Sequence, residues 1–486
     1  MKWLLYFTIL YLSWPTNGLR QFFRGKHVGG NVLPPPVSVT SRSVSQNYFD
    51  QFLDHSDPTN EKTWKQRYFV NDEFFDKEKR NVAFLFIGGE GPANVKWMTS
   101  GAWIKSAKEY KALCFQVEHR FYGDSQPFEE LSIENLRYLT SQQALDDLAN
   151  FIVAMNEKHQ LAPDVKWIAF GGSYSGSLAA WLRQKYPHLV YGASSASGPL
   201  LAIVDFQQYL QVVADDLRDL HSQKCVDVVQ EGIKQLSDNL NNTDANIDKL
   251  FNLCTPIKNS LNNEKDIAYF FELIADNFAY IAQYNSDSKE LNVTSVCDIL
   301  TAESGKSSLE KLADVNNLVQ EGACLDYKYD GMVKEMQNGN RSSSAVTGGM
   351  RQWFYQTCTE FAFYQTSTQT PPVFGDQFPI KFFVDYCADI YSPEIDREYL
   401  DRIVNRTNTI YGAQNIDVSN VIFVHGTVDP WYPLGIYETR DQAAPAILIN
   451  GTSHCANMYE DTVLDSSELV AAKAKVHEQI GEWLKN

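Results

Sequence analysis

The chain has 486 residues, of which 44% are hydrophobic and 13% aromatic, and it carries a formal net charge of −18 at pH 7. This apolar content excludes a disordered chain, and the length suits one catalytic domain with a substantial insertion. The charge argues against a nucleic-acid partner, because an acidic surface repels a polyanion.

In chain order, residues 1–18 open with Met1-Lys2, continue through an apolar run from Trp3 to Trp14 and end in Pro15-Thr16-Asn17-Gly18. That pattern predicts a secretory signal peptide, removed on export. No later apolar stretch reaches the roughly 20 residues of a membrane-spanning helix, so no membrane partner is expected. Residues 19–45, with Gly29-Gly30 and Pro34-Pro35-Pro36, read as a flexible leader or propeptide. Sequons at Asn241, Asn292, Asn340, Asn405 and Asn450 and eight cysteines suit an oxidising route, secreted or lysosomal. Neither C-x-x-C nor H-E-x-x-H occurs, and neither metal nor cofactor is expected.

A folded domain begins near residue 46. The apolar runs Val82–Ile87 and Leu113–Val117 predict buried strands, each ending in a loop of functional character, Gly88-Gly89-Glu90-Gly91-Pro92 and Glu118-His119-Arg120. Residues 141–159 predict an amphipathic helix, with Ala144, Leu145, Leu148, Phe151, Ile152 and Met155 on one face. An apolar strand over 165–170 then meets Gly171-Gly172, and a helix starts near Tyr174 with Leu178, Trp181 and Leu182 at helical spacing. Ser173 sits at the bend. Glycines allow such a turn, which exposes the serine hydroxyl and sets the Tyr174 N–H to stabilise an oxyanion. The pattern departs from G-x-S-x-G at Ser175, with glycine one residue later at Gly176. Taken alone, the hexapeptide reads equally well as an ordinary glycine-rich turn.

A short strand over 193–196 follows. Alternating strands and helices predict a parallel sheet covered on both faces. From 203 to 345 the pattern turns helical, at 205–220, 225–240 and 268–283, with no strong strand candidate. This is read as a helical cap inserted between a first domain part at 46–202 and a second at 346–486. Strands resume at 421–424 and Ala446–Ile449, and a last helix covers 467–484. The loops after those two strands supply Asp429 and His454. Singly, Asp429 before Pro430 starts a turn and His454 is a loop histidine. Together with Ser173 they follow strand ends in the order Ser, Asp, His, which is that of the α/β-hydrolase fold. A histidine moves the serine proton and the acid orients the histidine.

These segments resemble the prolylcarboxypeptidase-like serine peptidases. The resemblance runs from about Tyr48 to the C-terminus and rests on Gly88 to Pro92, Glu118 to Ser125, Gly171 to Ala180, Gln356-Thr357-Cys358-Thr359-Glu360, Gly426 to Trp431 and Gly451 to His454. The Ser175-Gly176-Ser177 form of the elbow is similar to the thymus-specific serine protease branch. The resemblance implies an α/β-hydrolase domain with a helical cap and an exopeptidase cutting peptides beside proline near a terminus. It implies Ser173, Asp429 and His454 as the triad, Tyr174 and Gly89 around the oxyanion, and a pocket with Glu90, Ser177, Phe363 and Trp431. Ser177 stands where proline-cleaving relatives carry methionine, and His425 where asparagine is common, which bears on proline preference. Implied disulfides are Cys225 with Cys297, Cys254 with Cys324 and Cys358 with Cys387, leaving Cys114 and Cys455 unpaired. Relatives often dimerise, so a homodimer is a possible partner state beside the peptide substrate.

Two rival functions stay open at this level. The same triad hydrolyses carboxyl esters, and a hydrolase fold without catalysis serves as an extracellular binding module. Carboxypeptidase and dipeptidyl peptidase action also stay undivided. Glu90, Glu118 and Glu360 are candidates to hold a substrate amine, with structural hydrogen bonding the competing role.

Overall fold

The computed structural model describes residues 43–286 and 289–485, with the short pieces 22–23, 26–27 and 34–36. The signal-peptide segment 1–18 and most of the leader lie outside the described residues. Within the leader, β1 (Phe22–Phe23) pairs antiparallel with β2 (Lys26–His27).

An eight-stranded sheet positions everything else. Its strands in chain order are β3 (Val44–Phe52), β4 (Thr63–Asn71), β5 (Val82–Ile87), β6 (Leu113–Val117), β7 (Lys166–Gly172) and β8 (Val190–Ala196). After the short β9 (Ile203–Asp205) and β10 (Ala362–Tyr364), β11 (Val421–Gly426) and β12 (Ala446–Ile449) complete it. Across the sheet the order is β12-β11-β8-β7-β5-β6-β4-β3. The six strands from β12 to β6 are mutually parallel, and β4 and β3 add an antiparallel edge. This is an α/β-hydrolase fold.

Alternate side chains on each parallel strand point to opposite faces, and both faces are apolar. Leu85, Phe115, Val117 and Ala169 join the core beneath helices Ser141–Lys158 and Tyr174–Lys185, which continues into the cap. Phe84, Phe86, Ile168, Phe170 and Val424 face the other way, against helices Ala102–Tyr110 and Ser467–Lys485. Because the strands are parallel, the loops after β5, β7, β11 and β12 emerge at one edge. The glycine loop, Ser173, Asp429 and His454 therefore share that edge before any side chain is considered.

Local differences from the sequence expectation have simple causes. β7 does not stop at residue 170, because Gly171 and Gly172 pair with Ser195 and Ala196 of β8. β11 likewise runs on to Gly426, opposite Ile449. The expected absence of strands after residue 203 is corrected by β9, which pairs with β10 and moves the start of the first cap helix to Gln208. Three-residue strands paired across so long a stretch of chain leave no period to read. The second and third long cap helices are Gln223–Asn239 and Glu264–Gln283. Disulfides join Cys225 to Cys297, Cys254 to Cys324 and Cys358 to Cys387, and Cys114 and Cys455 are free and buried. Among the described residues no helix is long and apolar enough to cross a membrane.

Candidate active site

At the end of β7 the backbone of Ser173 takes φ 59° and ψ −133°, a conformation that a non-glycine residue adopts only under strain. The turn is held from both sides. A Cβ on Gly171 would lie 1.9 Å from the Ser175 carbonyl oxygen, so only glycine lets the helix fold back over the strand. The close approach to β8 falls on Gly176, where a Cβ would stand 2.7 Å from the Ala196 carbonyl oxygen. Ser175 fits the remaining position because its hydroxyl donates to the Gly172 carbonyl at 2.7 Å. The departure from G-x-S-x-G is thus absorbed by a one-residue shift of the contact.

The Ala196 carbonyl is also the hinge between serine and histidine. It accepts the Ser173 N–H at 2.9 Å and the Cys455 thiol at 3.6 Å, while the Cys455 N–H donates to Ser197 Oγ at 2.9 Å. His454 Nδ1 and Asp429 Oδ1 are 2.8 Å apart, with both side chains shielded from water. The Trp431 N–H donates to the same Asp429 oxygen at 3.0 Å. Burial opposes charge on His454, but the Asp429 carboxylate overrides it and holds the imidazole well above its ordinary pKa. No hydrogen bond joins Ser173 Oγ to His454 Nε2, which is buried without a partner.

Tyr174, the first residue of the elbow helix, is anchored by a network that the sequence did not reveal. His119 Nδ1 lies 2.7 Å from the Arg120 carbonyl, so Nδ1 carries the proton and Nε2 accepts from the Tyr174 hydroxyl at 3.1 Å. Gln356 Nε2 donates to that hydroxyl at 3.0 Å. Burial pushes His119 down to about 4, keeping it neutral. The segments 118–125 and 356–360 stood out as family markers, yet nothing in them states that they meet here. As the first helical N–H, the amide of Tyr174 has no intrahelical acceptor. The glycine loop packs on the same turn, a Cβ on Gly89 falling 3.5 Å from Ser175.

Beside Trp431 lies a small cavity lined mainly by aromatic rings, whose walls include Trp353, Phe354, Phe363, Tyr364, Phe383 and Trp431. The Phe363 and Trp431 rings meet edge to face at 5.5 Å, and Tyr174 touches Trp353 at 5.7 Å. Phe363 has φ 64°, a second strained position beside the site. Ser177 does not line this cavity; its buried hydroxyl donates to the Pro199 carbonyl at 2.8 Å. Glu90 lies in a different cleft, formed by the glycine loop, Trp97 and Ser175. Glu118 is committed to Arg67 and to the N–H groups of Ala93 and Asp124, and Glu360 to Ser141. His425 is buried behind the acid loop, where burial pushes it to about 4.

Of the sequons, Asn241, Asn340, Asn405 and Asn450 are exposed. Asn292 is half-buried and caps a helix by accepting the Ser295 N–H at 2.9 Å. Among the described residues no group of His, Cys, Asp and Glu is arranged to hold a metal.

Residues 51–476 match the family model described as serine carboxypeptidase S28. The chain belongs to that family. It is 32% identical to the thymus-specific serine protease of Mus musculus over 91% of this chain and 88% of that protein. It is 28% identical to the lysosomal Pro-X carboxypeptidase of Homo sapiens, over 97% of this chain and 95% of the relative. This S28 protein is therefore a serine-type peptidase. The strained Ser173, the buried Asp429–His454 pair and the aromatic cavity all lie within the matched span.

Proposed function

We propose that this chain is a secreted or lysosomal exopeptidase that hydrolyses peptides near a terminus, with Ser173 as nucleophile, His454 as general base and Asp429 as its orienting acid. The observation that carries the reading is the shielded 2.8 Å pair of His454 and Asp429. With the Nδ1 proton fixed on the acid, Nε2 is the face available to Ser173. In the proposed reaction the Ser173 hydroxyl donates to that nitrogen. His454 then takes the hydroxyl proton as Oγ bonds to the scissile carbonyl carbon, and the oxyanion forms against the N–H of Tyr174 and the loop at Gly89. As the C–N bond breaks, His454 returns the proton to the leaving amine. Water, deprotonated by the same imidazole, resolves the acyl-enzyme.

The aromatic cavity supports proline or a small apolar residue at P1, since flat rings give a compact side chain apolar contact without polar demand. The signal-like segment at 1–18 and the resemblance to a lysosomal Pro-X carboxypeptidase support the compartment. The test is fluorophosphonate labelling, with hydrolysis of Pro-X and Ala-X peptides. Labelling and turnover should vanish together in Ser173→Ala; a labelled or active variant overturns the assignment. Tripeptides blocked at either end divide carboxypeptidase from dipeptidyl peptidase action, and an ester panel tests the carboxylester reading.

A further inference from the structure

Helix Glu264–Gln283 belongs to the cap, yet its last residue reaches the base of the active site. Gln283 is fully buried, and both of its oxygens are used there. Its main-chain carbonyl, one of the helix-end acceptors without an intrahelical donor, accepts the His454 N–H at 3.1 Å. Its side-chain Oε1 accepts the Trp431 indole N–H at 2.8 Å and the Tyr209 hydroxyl at 2.7 Å. Tyr209 stands on a different cap helix, Gln208–Leu220, and its ring meets Trp431 at 5.4 Å. Two residues beyond, the Asn285 carbonyl accepts the Ser453 hydroxyl at 2.7 Å. One cap residue thus holds the loop of the histidine, the wall of the aromatic cavity and a second cap helix.

We propose that Gln283 is a positioning residue, setting His454 and the Trp431 wall in register so that the cap is part of the active centre. The inference rests on the triad reading above. Oε1 is buried between two donors, so removing it leaves an indole N–H and a phenol O–H without an acceptor in an apolar site. Relief comes from turning Trp431 or shifting the helix end, and the second movement carries the carbonyl that holds His454. Misplacement of a reacting group by about 1 Å costs about 10²-fold in rate. A single residue therefore bears on both acyl transfer and P1 choice.

The test compares Gln283→Leu, which is close in size and has no acceptor, with Gln283→Glu, which keeps one. All constants are expressed per site titrated with a fluorophosphonate, so that a merely structural loss lowers the titre and leaves the constants alone. Gln283→Leu should lower kcat by about 10²-fold, slow fluorophosphonate labelling, and reduce the preference for proline over alanine at P1. Gln283→Glu should restore most of each. Wild-type kcat and P1 preference per titrated site in Gln283→Leu overturn the proposal, as does a loss that Gln283→Glu does not repair. If Gln283→Leu fails to fold, Gln283→Met, which removes the amide oxygen while filling its space, takes its place, and wild-type constants and P1 preference there overturn the proposal. Ser173→Ala is run alongside. Activity in that variant defeats the triad reading itself, whereas an inactive Ser173→Ala beside wild-type Gln283 variants defeats the positioning role alone.

Discussion

Asp429 accepts a 2.8 Å hydrogen bond from His454 Nδ1, and neither side chain touches solvent. In that setting the acid determines which imidazole nitrogen is free. Asp429→Asn keeps the shape and an oxygen for the Trp431 N–H and Nδ1–H, but removes the negative charge that stabilises the imidazolium formed during acyl transfer. The expected result is a fall in kcat of about 10⁴-fold with folding intact. Steady-state kinetics beside a thermal melt check it, and a variant within tenfold of the parent contradicts the orienting role.

Gly176, and not the residue at position 175, makes the close approach at the elbow. Gly176→Ala would set a methyl group 2.7 Å from the Ala196 carbonyl oxygen, which holds the Ser173 N–H. A loss of about 1–3 kcal/mol in stability and slower fluorophosphonate labelling are expected. Ser175→Gly restores the G-x-S-x-G spelling and should still label, losing about 1 kcal/mol with the Gly172 hydrogen bond. The reverse ranking in melts and labelling rates would contradict this assignment.

Burial pushes the Glu360 carboxyl to about 7 from an ordinary 4.5, against the hydrogen bonds from Ser141. Between those values the folded protein keeps a proton that the unfolded chain has lost. The stability from this group is therefore full below about pH 4.5 and declines as pH rises through about 7. Glu360→Gln should shrink the stability difference between about pH 5 and about pH 8 by on the order of 3 kcal/mol. His119 and His425, pushed down to about 4 by burial, act in the opposite sense and are common to both proteins. Denaturant unfolding at the two pH values measures the difference, and parallel curves for parent and variant would exclude the effect.

Phe363 supplies one wall of the cavity opposite Trp431. Phe363→Ala should enlarge the space, lower kcat/KM for a proline P1 substrate by about 10-fold and admit bulkier P1 residues. A peptide library varied at P1 reads the change. An unaltered ranking would place P1 elsewhere.

Features that depend on local chemistry are legible in the order of the residues. Glycines before and after Ser173 mark a bend because only they permit it, and apolar runs such as Val82–Ile87 predict strands buried on both faces. The order Ser173, Asp429, His454 after successive strand ends carried the hydrolase reading, since a parallel sheet sends those ends to one edge. Features that rest on main-chain groups and distant partners emerge only once the chain is folded. The Ala196 carbonyl linking Ser173 to Cys455, the Gln283 carbonyl holding His454, the His119–Tyr174–Gln356 network and the β9–β10 pair all join segments far apart in the chain. A carbonyl oxygen is common to every residue type and a long-range contact has no period, so neither leaves a mark in the order of the amino acids.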